Sequence, residues 1–305
     1  MLISSRENPI IKEAAALVSD KKARKKSGLF VVEGARLCSE ACKSGAEVLR
    51  LFVTEEAEKR YPEYLKELLS KAKEVYNISC SVAEKISDTK TPQGVFAVCR
   101  IEEKPVDLGQ NGVFVLLSNL QDPGNIGTIL RTCEAMDVRG VFLCGCADCF
   151  SPKVLRGTMG CIFRLPIKVF SETAEALALL REAGVSTYAS ALAENALLLP
   201  EVKFSEKSCV LIGNEGNGLE HEVIEACDNV VMIPMPGKAE SLNAASAAAI
   251  MIYSAAMQRG IPTISRADFL GYIMTEYKNR VGISGMHGKS TCTSMCAHTF
   301  LAADA

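Results

Sequence analysis

The chain has 305 residues, of which 48% are hydrophobic and 23% are charged. This composition excludes a disordered, collagen-like or coiled-coil protein, and the length suits two domains of ordinary size. The net charge of −2 means that a polyanion must bind through a local basic patch and not through the overall field. The longest nearly apolar stretch, residues 244–257, is too short to cross a bilayer, and the charged N-terminus lacks a targeting segment. We therefore expect a cytoplasmic protein with no membrane partner.

Residues 1–103 are predicted to form a small α/β domain. Helical periodicity and short apolar runs alternate, which predicts helices over 9–18, 35–43 and 64–72 and strands over 29–32, 48–53, 75–78 and 94–100. A charged stretch that contains a proline then interrupts the pattern. We place a linker there, over residues 104–112.

From residue 113 to residue 259 the pattern is strand, helix, strand, repeated. Short β-rich runs that alternate with helices are typical of a mostly parallel sheet covered on both faces, so the predicted fold class is α/β. Ligands of such sheets bind beyond the carboxyl ends of the strands. Three loops are of interest because each follows a predicted strand and opens a predicted helix.

The first loop, residues 118–131, makes the turn Asp-Pro-Gly-Asn and then opens a helix that carries Arg131. Asn125 and Arg131 are six residues apart, which is less than two helical turns. One interpretation is a helix cap followed by an exposed arginine. The other is an arginine aimed at a phosphate or ribose, because the guanidinium fork suits oxygen anions. This loop by itself leaves both interpretations open.

The second loop, residues 211–219, has glycines at positions 213, 216 and 218. Glycines let a ligand approach the backbone closely, and Glu215 stands in the middle of the turn, where a folding role is hard to name. The spacing is not the dinucleotide motif G-x-G-x-x-G, which disfavours a nicotinamide-dependent dehydrogenase. The alternative is a flexible turn before a helix.

The third loop starts at residue 233 with prolines and leads to Ser241 and Asn243, just before an alanine-rich helix. Both side chains are able to cap that helix, and the alanines allow close backbone packing. Capping is the simplest interpretation of this loop alone. The three loops in this order are far more specific than any one of them.

Together the three loops resemble the motifs of the SpoU (TrmH-type) family of RNA ribose methyltransferases. The first family motif is similar to residues 125–131, the second to 213–219 and the third to 233–246. The resemblance implies a SPOUT-type α/β domain with a deep C-terminal trefoil knot, an exception to the usual absence of knots. It also implies S-adenosylmethionine as cofactor, a homodimer formed through this domain, and methyl transfer to a ribose 2′-hydroxyl.

The resemblance further implies roles for individual residues. Those implied in catalysis and target binding are Asn125, Arg131, Glu215, Ser241 and Asn243. Those implied in cofactor binding are Gly213, Asn214, Gly218, Ile233, Met235 and Leu242. Because a guanidinium stays protonated in proteins, we expect Arg131 to clamp the target phosphate and stabilise the developing alkoxide, while the proton leaves to phosphate or water.

The N-terminal domain resembles the ribosomal-protein-like RNA-binding domain of the rRNA-modifying branch, through residues 30–36 and 91–96. Residues 21–26 hold five basic residues in six positions, which is typical of a solvated loop but, beside a ribose methyltransferase domain, favours RNA contact. The predicted RNA-binding residues are Arg6, Asn8, Lys12, Lys21, Lys22, Arg24, Lys25, Lys26 and Arg36. The expected target is large-subunit (23S) rRNA. The alternatives are tRNA, or an RNA-binding protein that has lost catalysis.

Thirteen cysteines are present, and positions 144, 146, 149 and 161 lie close together in the sequence. Their spacing does not repeat a C-x2-C pair and no histidine is near, so no metal site is expected. We expect the cysteines to be reduced and mostly buried. The sequence lacks a G-x-S-x-G motif and has few histidines, which disfavours a histidine-based hydrolase.

Residues 260–305 differ in character from the rest of the chain. The segment 284–290 is similar to the ATP-binding loop of the UDP-N-acetylmuramate-alanine ligases. Too few residues follow it to supply a magnesium-binding aspartate or a substrate domain. We therefore expect a truncated ligase fragment without activity, and a ligase function is a third hypothesis that this tail alone suggests.

Overall fold

The apolar runs of the first hundred residues form one mixed β-sheet in the computed structural model, which describes residues 2–193 and 195–258. The strands, in chain order, are β1 (Leu2–Ile3), β2 (Leu29–Glu33), β3 (Val48–Val53), β4 (Glu74–Ile78) and β5 (Val95–Arg100). Their order across the sheet is β1-β4-β3-β5-β2. Strands β1, β4 and β3 run parallel, whereas β5 is antiparallel to β3 and β2. Strand β5, which lies between β3 and β2, is buried along most of its length, as its apolar sequence predicts.

Short polar side chains set where several helices of this domain begin. The helices are α1 (Pro9–Ser19), α2 (Lys21–Ser27), α3 (Ala35–Lys43), α4 (Glu55–Arg60), α5 (Pro62–Lys71) and α6 (Cys80–Lys85). Asn8 Oδ1 accepts a hydrogen bond of 2.9 Å from the Ile10 amide at the start of α1. Asp20 Oδ1 accepts one of 2.7 Å from the Lys22 amide at the start of α2. These caps satisfy amides that a helix leaves without partners.

The second part of the chain forms a seven-stranded sheet whose strand pairs are all parallel. Its strands are β6 (Gly112–Ser118), β7 (Gly140–Cys144), β8 (Ile167–Phe170), β9 (Ser186–Ser190), β10 (Leu197–Leu198), β11 (Lys207–Ile212) and β12 (Asn229–Met232). The order across the sheet is β10-β12-β9-β11-β6-β7-β8. Because β11 lies beside β6, the loops that leave the carboxyl ends of these two strands are neighbours.

Helices cover both faces of the second sheet. They are α7 (Pro123–Ala135), α8 (Pro152–Thr158), α9 (Thr173–Glu182), α10 (His221–Glu225) and α11 (Ala244–Gln258). Along β6, Val115 and Leu117 pack in the cluster that contains α7, α8 and α11, whereas Phe114 and Leu116 pack in the cluster that contains α9 and α10. Alternate residues of one strand therefore enter two cores, which explains the continuous apolar sequence of β6. The predicted α/β fold class is confirmed.

The two domains pack against each other through α8 and β2 and share an apolar core. One buried cluster includes residues of β2, α3 and β5 together with residues of β6, α7 and α8. The ring of Phe30 lies 4.9 Å from that of Phe150, centroid to centroid. At the surface, Arg156 of α8 pairs with Asp88 at 2.7 Å. The predicted linker, residues 104–112, begins after β5 and ends at the first residue of β6, and the domains that it joins are in direct contact.

Several elements differ from the sequence-based prediction. The basic run 21–26, expected to be a loop, forms α2. Helices α4 and α6 and the short strands β1 and β10 were not predicted. The two helices have six residues each and bury only one or two of them, so they carry no periodic apolar pattern.

The predicted ligase-like tail, residues 260–305, lies outside the described residues. Within the part of the chain that the structure describes, no helix combines the length and the apolar character that crossing a bilayer requires.

Candidate active site

The loops after β6 and β11 meet at a carboxylate. Glu215, in the turn after β11, accepts hydrogen bonds from the amide of Gln121 at 3.3 Å, from the amide of Asp122 at 3.0 Å and from Asn125 Nδ2 at 3.1 Å. Burial raises the pKa of the Glu215 carboxyl, but the hydrogen bonds that it accepts outweigh burial and hold the pKa below its ordinary value. The carboxylate therefore joins two loops and remains ionised.

Asn125 connects this carboxylate to the third loop. Its Oδ1 accepts a hydrogen bond of 3.0 Å from Asn243 Nδ2. Asn243 also caps α11, because its Oδ1 accepts from the amides of Ala245 at 2.9 Å and Ser246 at 3.3 Å. The side chains of Glu215, Asn125 and Asn243 thus form a continuous chain of hydrogen bonds across all three loops. We call these three residues the amide network.

The glycine turn after β11 is held by a tight backbone bridge. Asn214 and Gly218 exchange two backbone hydrogen bonds of 2.9 Å, and Gly218 has φ of +71°. A Cβ on Gly213 would stand 2.1 Å from the carbonyl carbon of Gly218, so this position has no room for a side chain. Asn214 Nδ2 donates to the carbonyl of Asn119 at 2.9 Å, which ties the turn to the first loop. The turn has defined geometry and is not a flexible connection.

A cleft of about 100 Å³ lies beyond the carboxyl ends of β9 and β12. Its lining residues are Ser190, Ala191, Leu192, Ile233, Met235, Ser241, Leu242 and Ala247. Leu192 is 64% exposed and Leu242 is 39% exposed. Exposed leucines in a concave surface are typical of a site for an apolar group. The position of the cleft at the carboxyl ends of parallel strands supports the same interpretation.

The predicted cofactor-binding residues divide into two groups in the structure. Ile233, Met235 and Leu242 line the cleft. The residues 213, 214 and 218 build the neighbouring turn and are not among the residues that line it. Ser241, which was assigned to catalysis and target binding, lies on the cleft wall.

Arg131 forms no hydrogen bond with the three residues of the amide network. It is on α7, its side chain is exposed, and within residues 2–193 and 195–258 it has no hydrogen bond or ion pair. Burial raises the pKa of Cys161 to about 12, and Arg131 is among the charges that act on this thiol. Arg131 is therefore near the turn at 161–163. The structure leaves its guanidinium available to a ligand.

Sequence reasoning missed several residues of the site. The amides of Gln121 and Asp122 hold Glu215, and Asn119 Nδ2 donates to Glu220 at 2.9 Å. The cleft is also lined by Ser190, Ala191 and Leu192, which belong to no sequence motif. The only available signal was their position directly after a predicted strand.

The predicted RNA-binding residues of the N-terminal domain differ in their availability. Those that are exposed and make no side-chain hydrogen bond or ion pair to any described residue are Lys21, Lys22, Lys25, Lys26 and Arg36. Arg6 donates to the Ser81 carbonyl and pairs with Glu84, and Lys12 pairs with Glu7 at 2.6 Å. Asn8 is the cap of α1, so its side-chain oxygen is already engaged.

The position of Arg24 contradicts the prediction that this residue of the basic run contacts RNA. The residue is only 5% exposed and pairs with Asp148 at 2.7 Å. Its side chain points into the protein, because one side of α2 packs against the rest of the molecule. Arg24 is therefore not an RNA contact.

The cysteines described by the structure are mostly buried and unbonded to one another. Burial raises the pKa of Cys99, Cys144 and Cys149 to about 12, so these thiols are protonated and unreactive at neutral pH. Among the described residues, no group of three or more His, Cys, Asp or Glu side chains is placed to hold a metal ion.

Comparison with known proteins accounts for both domains. Residues 112–253 match the SpoU rRNA Methylase family, and residues 8–97 match the MRM3-like substrate binding domain. The chain is 34% identical over 252 residues to the 23S rRNA (guanosine(2553)-2'-O)-methyltransferase RlmP of Bacillus subtilis, which covers 82% of this chain and 97% of that protein. It is 34% identical over 153 residues to the tRNA (guanosine(18)-2'-O)-methyltransferase of Thermus thermophilus, which covers 49% of this chain and 77% of that protein.

A solved structure shows the same fold. The AdoMet-bound rRNA methyltransferase from Sinorhizobium meliloti superposes with a TM-score of 0.76 at 29% identity and covers 86% of this chain and 99% of that one. All three motif loops lie within the matched family region, and neither family match reaches the tail after residue 259. The chain belongs to the SpoU rRNA methylase family.

Proposed function

We propose that this enzyme methylates a ribose 2′-hydroxyl of large-subunit rRNA. Its membership of the family makes it an RNA 2′-O-methyltransferase that uses S-adenosylmethionine. The observation that carries the choice of rRNA is the extent of similarity. The match to the rRNA enzyme spans both domains, whereas the match to the tRNA enzyme is limited to about half of the chain.

The residues of the cleft fit S-adenosylmethionine. The walls of the cleft combine apolar side chains with hydroxyl and backbone groups. We assign Leu192, Ile233 and Leu242 to the apolar part of the ligand, and Ser190 and Ser241 to its polar groups. When bound, S-adenosylmethionine supplies a methyl group on a positively charged sulfur, which needs little further activation.

The task left to the protein is to place a ribose oxygen and to manage its proton. Arg131 is exposed and unpaired, so its guanidinium clamps a phosphate of the target and stabilises the alkoxide that develops at the 2′-oxygen. A guanidinium does not give up its proton, so Arg131 is not the base. Glu215 is a poor base as well, because its pKa is lowered and its oxygens already accept three hydrogen bonds. The proton therefore leaves to an RNA phosphate or to water.

The amide network orders the target side of the site. Asn125 donates to Glu215 and accepts from Asn243, while Asn243 donates to Asn125 and accepts from backbone amides of α11, which determines the orientation of both side-chain amides. Together they hold the first and third loops at one distance from each other. Such pre-organisation lowers the entropy that the reaction must lose.

The proposal includes a homodimer through the methyltransferase domain. Helix α11 is apolar around its circumference, and Ile250 and Tyr253 are exposed on it, Tyr253 by 54%. An apolar helix of this kind is expected to be covered, and a second copy is the partner that the family resemblance implies.

We also include the trefoil knot. Strand β12 pairs with β9 and β10 toward one edge, yet α11, which follows it, packs on α7, β11 and β6 at the middle of the sheet. A chain that returns to the centre of its sheet in this way has the path that threading requires. We assign residues 1–103 to substrate binding and residues 113–259 to catalysis.

The test is transfer of a tritiated methyl group from S-adenosylmethionine to purified RNA. Unmodified 23S rRNA should be labelled, and Arg131→Ala should reduce the rate by at least 100-fold while the unfolding temperature stays the same. Labelling of tRNA in place of rRNA would overturn the choice of substrate. Tight RNA binding without any labelling would instead support a catalytically silent RNA-binding protein. Mapping ribose methylation across rRNA in cells with and without the gene would identify the nucleotide.

A further inference from the structure

Helix α2 presents four lysines on one side. At 100° per residue, Lys21, Lys22, Lys25 and Lys26 occupy roughly 140° of the helix circumference. All four side chains are exposed, and none forms an ion pair or a side-chain hydrogen bond with any residue of 2–193 and 195–258. Four unpaired cations on two helical turns form a concentrated positive surface in a chain whose net charge is −2.

Arg24 projects from the opposite side of the same helix into the interior. Its Nε donates to Asp148 Oδ2 at 2.7 Å, and its Nη1 donates to the carbonyls of Leu17 at 2.6 Å and Val18 at 3.0 Å. The side chains of Arg24 and Asp148 are 6% and 14% exposed. Of the five basic residues in the run, only this one is buried, and it crosses from the N-terminal domain to the methyltransferase domain.

Asp148 lies in a loop that belongs to the active-site edge of the second sheet. This loop follows β7, whose carboxyl end lies beside that of β6. The amide of Ala147 donates to the Leu120 carbonyl at 2.9 Å, and Gln121 Nε2 donates to the Gly145 carbonyl at 2.9 Å. Gln121 in turn donates its own amide to Glu215. Hydrogen bonds therefore lead from α2 through Asp148 and its loop to the amide network.

A buried ion pair is a costly way to join two domains. Removing both charges from water costs about as much as their attraction returns, so apolar residues of similar volume would join the domains at least as well. Unlike an apolar contact, however, a charge-assisted hydrogen bond with two further carbonyl acceptors allows one orientation of the arginine. The pair therefore fixes the orientation of α2 relative to the second domain more than it stabilises the contact between the domains.

We propose that α2 is a binding surface for RNA backbone phosphates and that Arg24 and Asp148 are positioning residues that hold it in register with the active site. This inference rests on the proposed function. The lysines bind RNA without reading its sequence, since phosphate contacts carry no base information. The pair determines where the bound RNA lies relative to the cleft. Arg24 is thus the residue through which the basic run acts on the reaction.

The lysine surface is tested by binding. Replacement of Lys21, Lys22, Lys25 and Lys26 by Gln should weaken binding to a 23S rRNA transcript and lower the slope of log Kd against log salt concentration by about 3. The affinity for S-adenosylmethionine should not change, because no residue of α2 lines the cleft. An unchanged salt slope would overturn the assignment of the surface. This measurement does not depend on methyl transfer, so it separates failure of the surface from failure of the proposed function.

The positioning pair is tested by kinetics. The double variant Arg24→Met with Asp148→Leu retains all four lysines, so we expect an unchanged salt slope but a kcat about 10-fold lower, because bound RNA no longer lies in register. The matched control is Arg50→Met, which removes two ion pairs, both within the N-terminal domain. Arg24→Lys with native Asp148 should recover part of kcat. A kcat equal to that of the wild type, or a loss explained fully by a lower folded fraction, would overturn the positioning role.

Discussion

The surface of the N-terminal domain and the active-site edge of the methyltransferase domain use different polar contacts. In the first, opposite charges pair in water, as for Arg50 with Glu13 at 2.7 Å and Lys71 with Glu67 at 2.6 Å. In the second, Asn125 and Asn243 connect loops to one carboxylate. Exposed ion pairs are screened by salt and accept many geometries, whereas amides need a donor and an acceptor at set positions. The comparison shows that exposed ion pairs with variable geometry are sufficient on the N-terminal surface, whereas at the active-site edge amide donors directed at one ionised carboxylate fix the positions of the loops.

The largest effect is expected at the glycine turn that supports the network. Gly213→Ala would place a Cβ 2.1 Å from backbone, so the turn must open and move Glu215. We expect the free energy of unfolding to fall by about 3 kcal/mol and methyl transfer to fall more than 100-fold. Chemical denaturation measures the free energy of unfolding, and the tritium assay measures the rate of methyl transfer. Gly216→Ala is the matched control, because its Cβ would meet its nearest neighbour at an ordinary 3.5 Å. Equal behaviour of the two variants would contradict the tight turn.

The next effect concerns the carboxylate. Glu215→Gln removes the charge and turns an amide group toward three donors, so we expect a loss of about 1 to 2 kcal/mol in the free energy of unfolding near neutral pH. Because the pKa of Glu215 is lowered on folding, its contribution is present above the ordinary carboxyl pKa of 4.5 and is lost as the pH falls through the folded value. The stability difference between wild type and variant should therefore shrink below pH 4.5. A difference that is constant between pH 7 and pH 3 would refute the role of the ionised form.

A smaller effect is expected at Asn243, where two variants distinguish its role as the cap of α11 from its hydrogen bond to Asn125. Asn243→Asp keeps an acceptor for the start of α11 but loses the donor to Asn125, so we expect near-native stability and a roughly 10-fold loss of methyl transfer. Asn243→Ala loses both functions and should cost about 1 kcal/mol in addition. Thermal unfolding and initial rates at saturating cofactor distinguish the variants. Full activity of the Asp variant would mean that the third loop does not need the network.

The smallest effect is expected on the charged surface. Arg50→Met removes contacts with Glu13 and Glu74, and such partly exposed pairs contribute less than about 1 kcal/mol. We expect an unchanged rate of methyl transfer and a stability change that disappears at high salt. Denaturation at low and high ionic strength measures this. If the loss were as large as that for Glu215→Gln, the contrast between the two regions would be wrong.

Much of the secondary structure could be predicted, because local patterns determine it. The strand–helix alternation after residue 113 is readable since apolar runs, caps and glycines recur at short spacing, and α7 begins where Asp122 supplies a cap. Helix α2 could not be predicted in the same way. Its lysines carry no apolar period, and its one buried side chain is an arginine whose partner lies 124 residues away. Local propensity contains no information about such a partner.

The sequence by itself determined the α/β class, the three loops at strand ends and the family to which they point. Those features depend on residue types within short stretches of sequence. Backbone geometry and the burial of apolar side chains relate such stretches directly to helices, strands and loops. Only the tertiary structure decided that Glu215 is held by the first loop, that Asn125 bridges to Asn243, and that Arg24 turns inward to Asp148. These pairs join residues far apart in the chain, and the order of parallel strands brings them together. Their meeting is set by packing of the whole sheet, which no local pattern encodes.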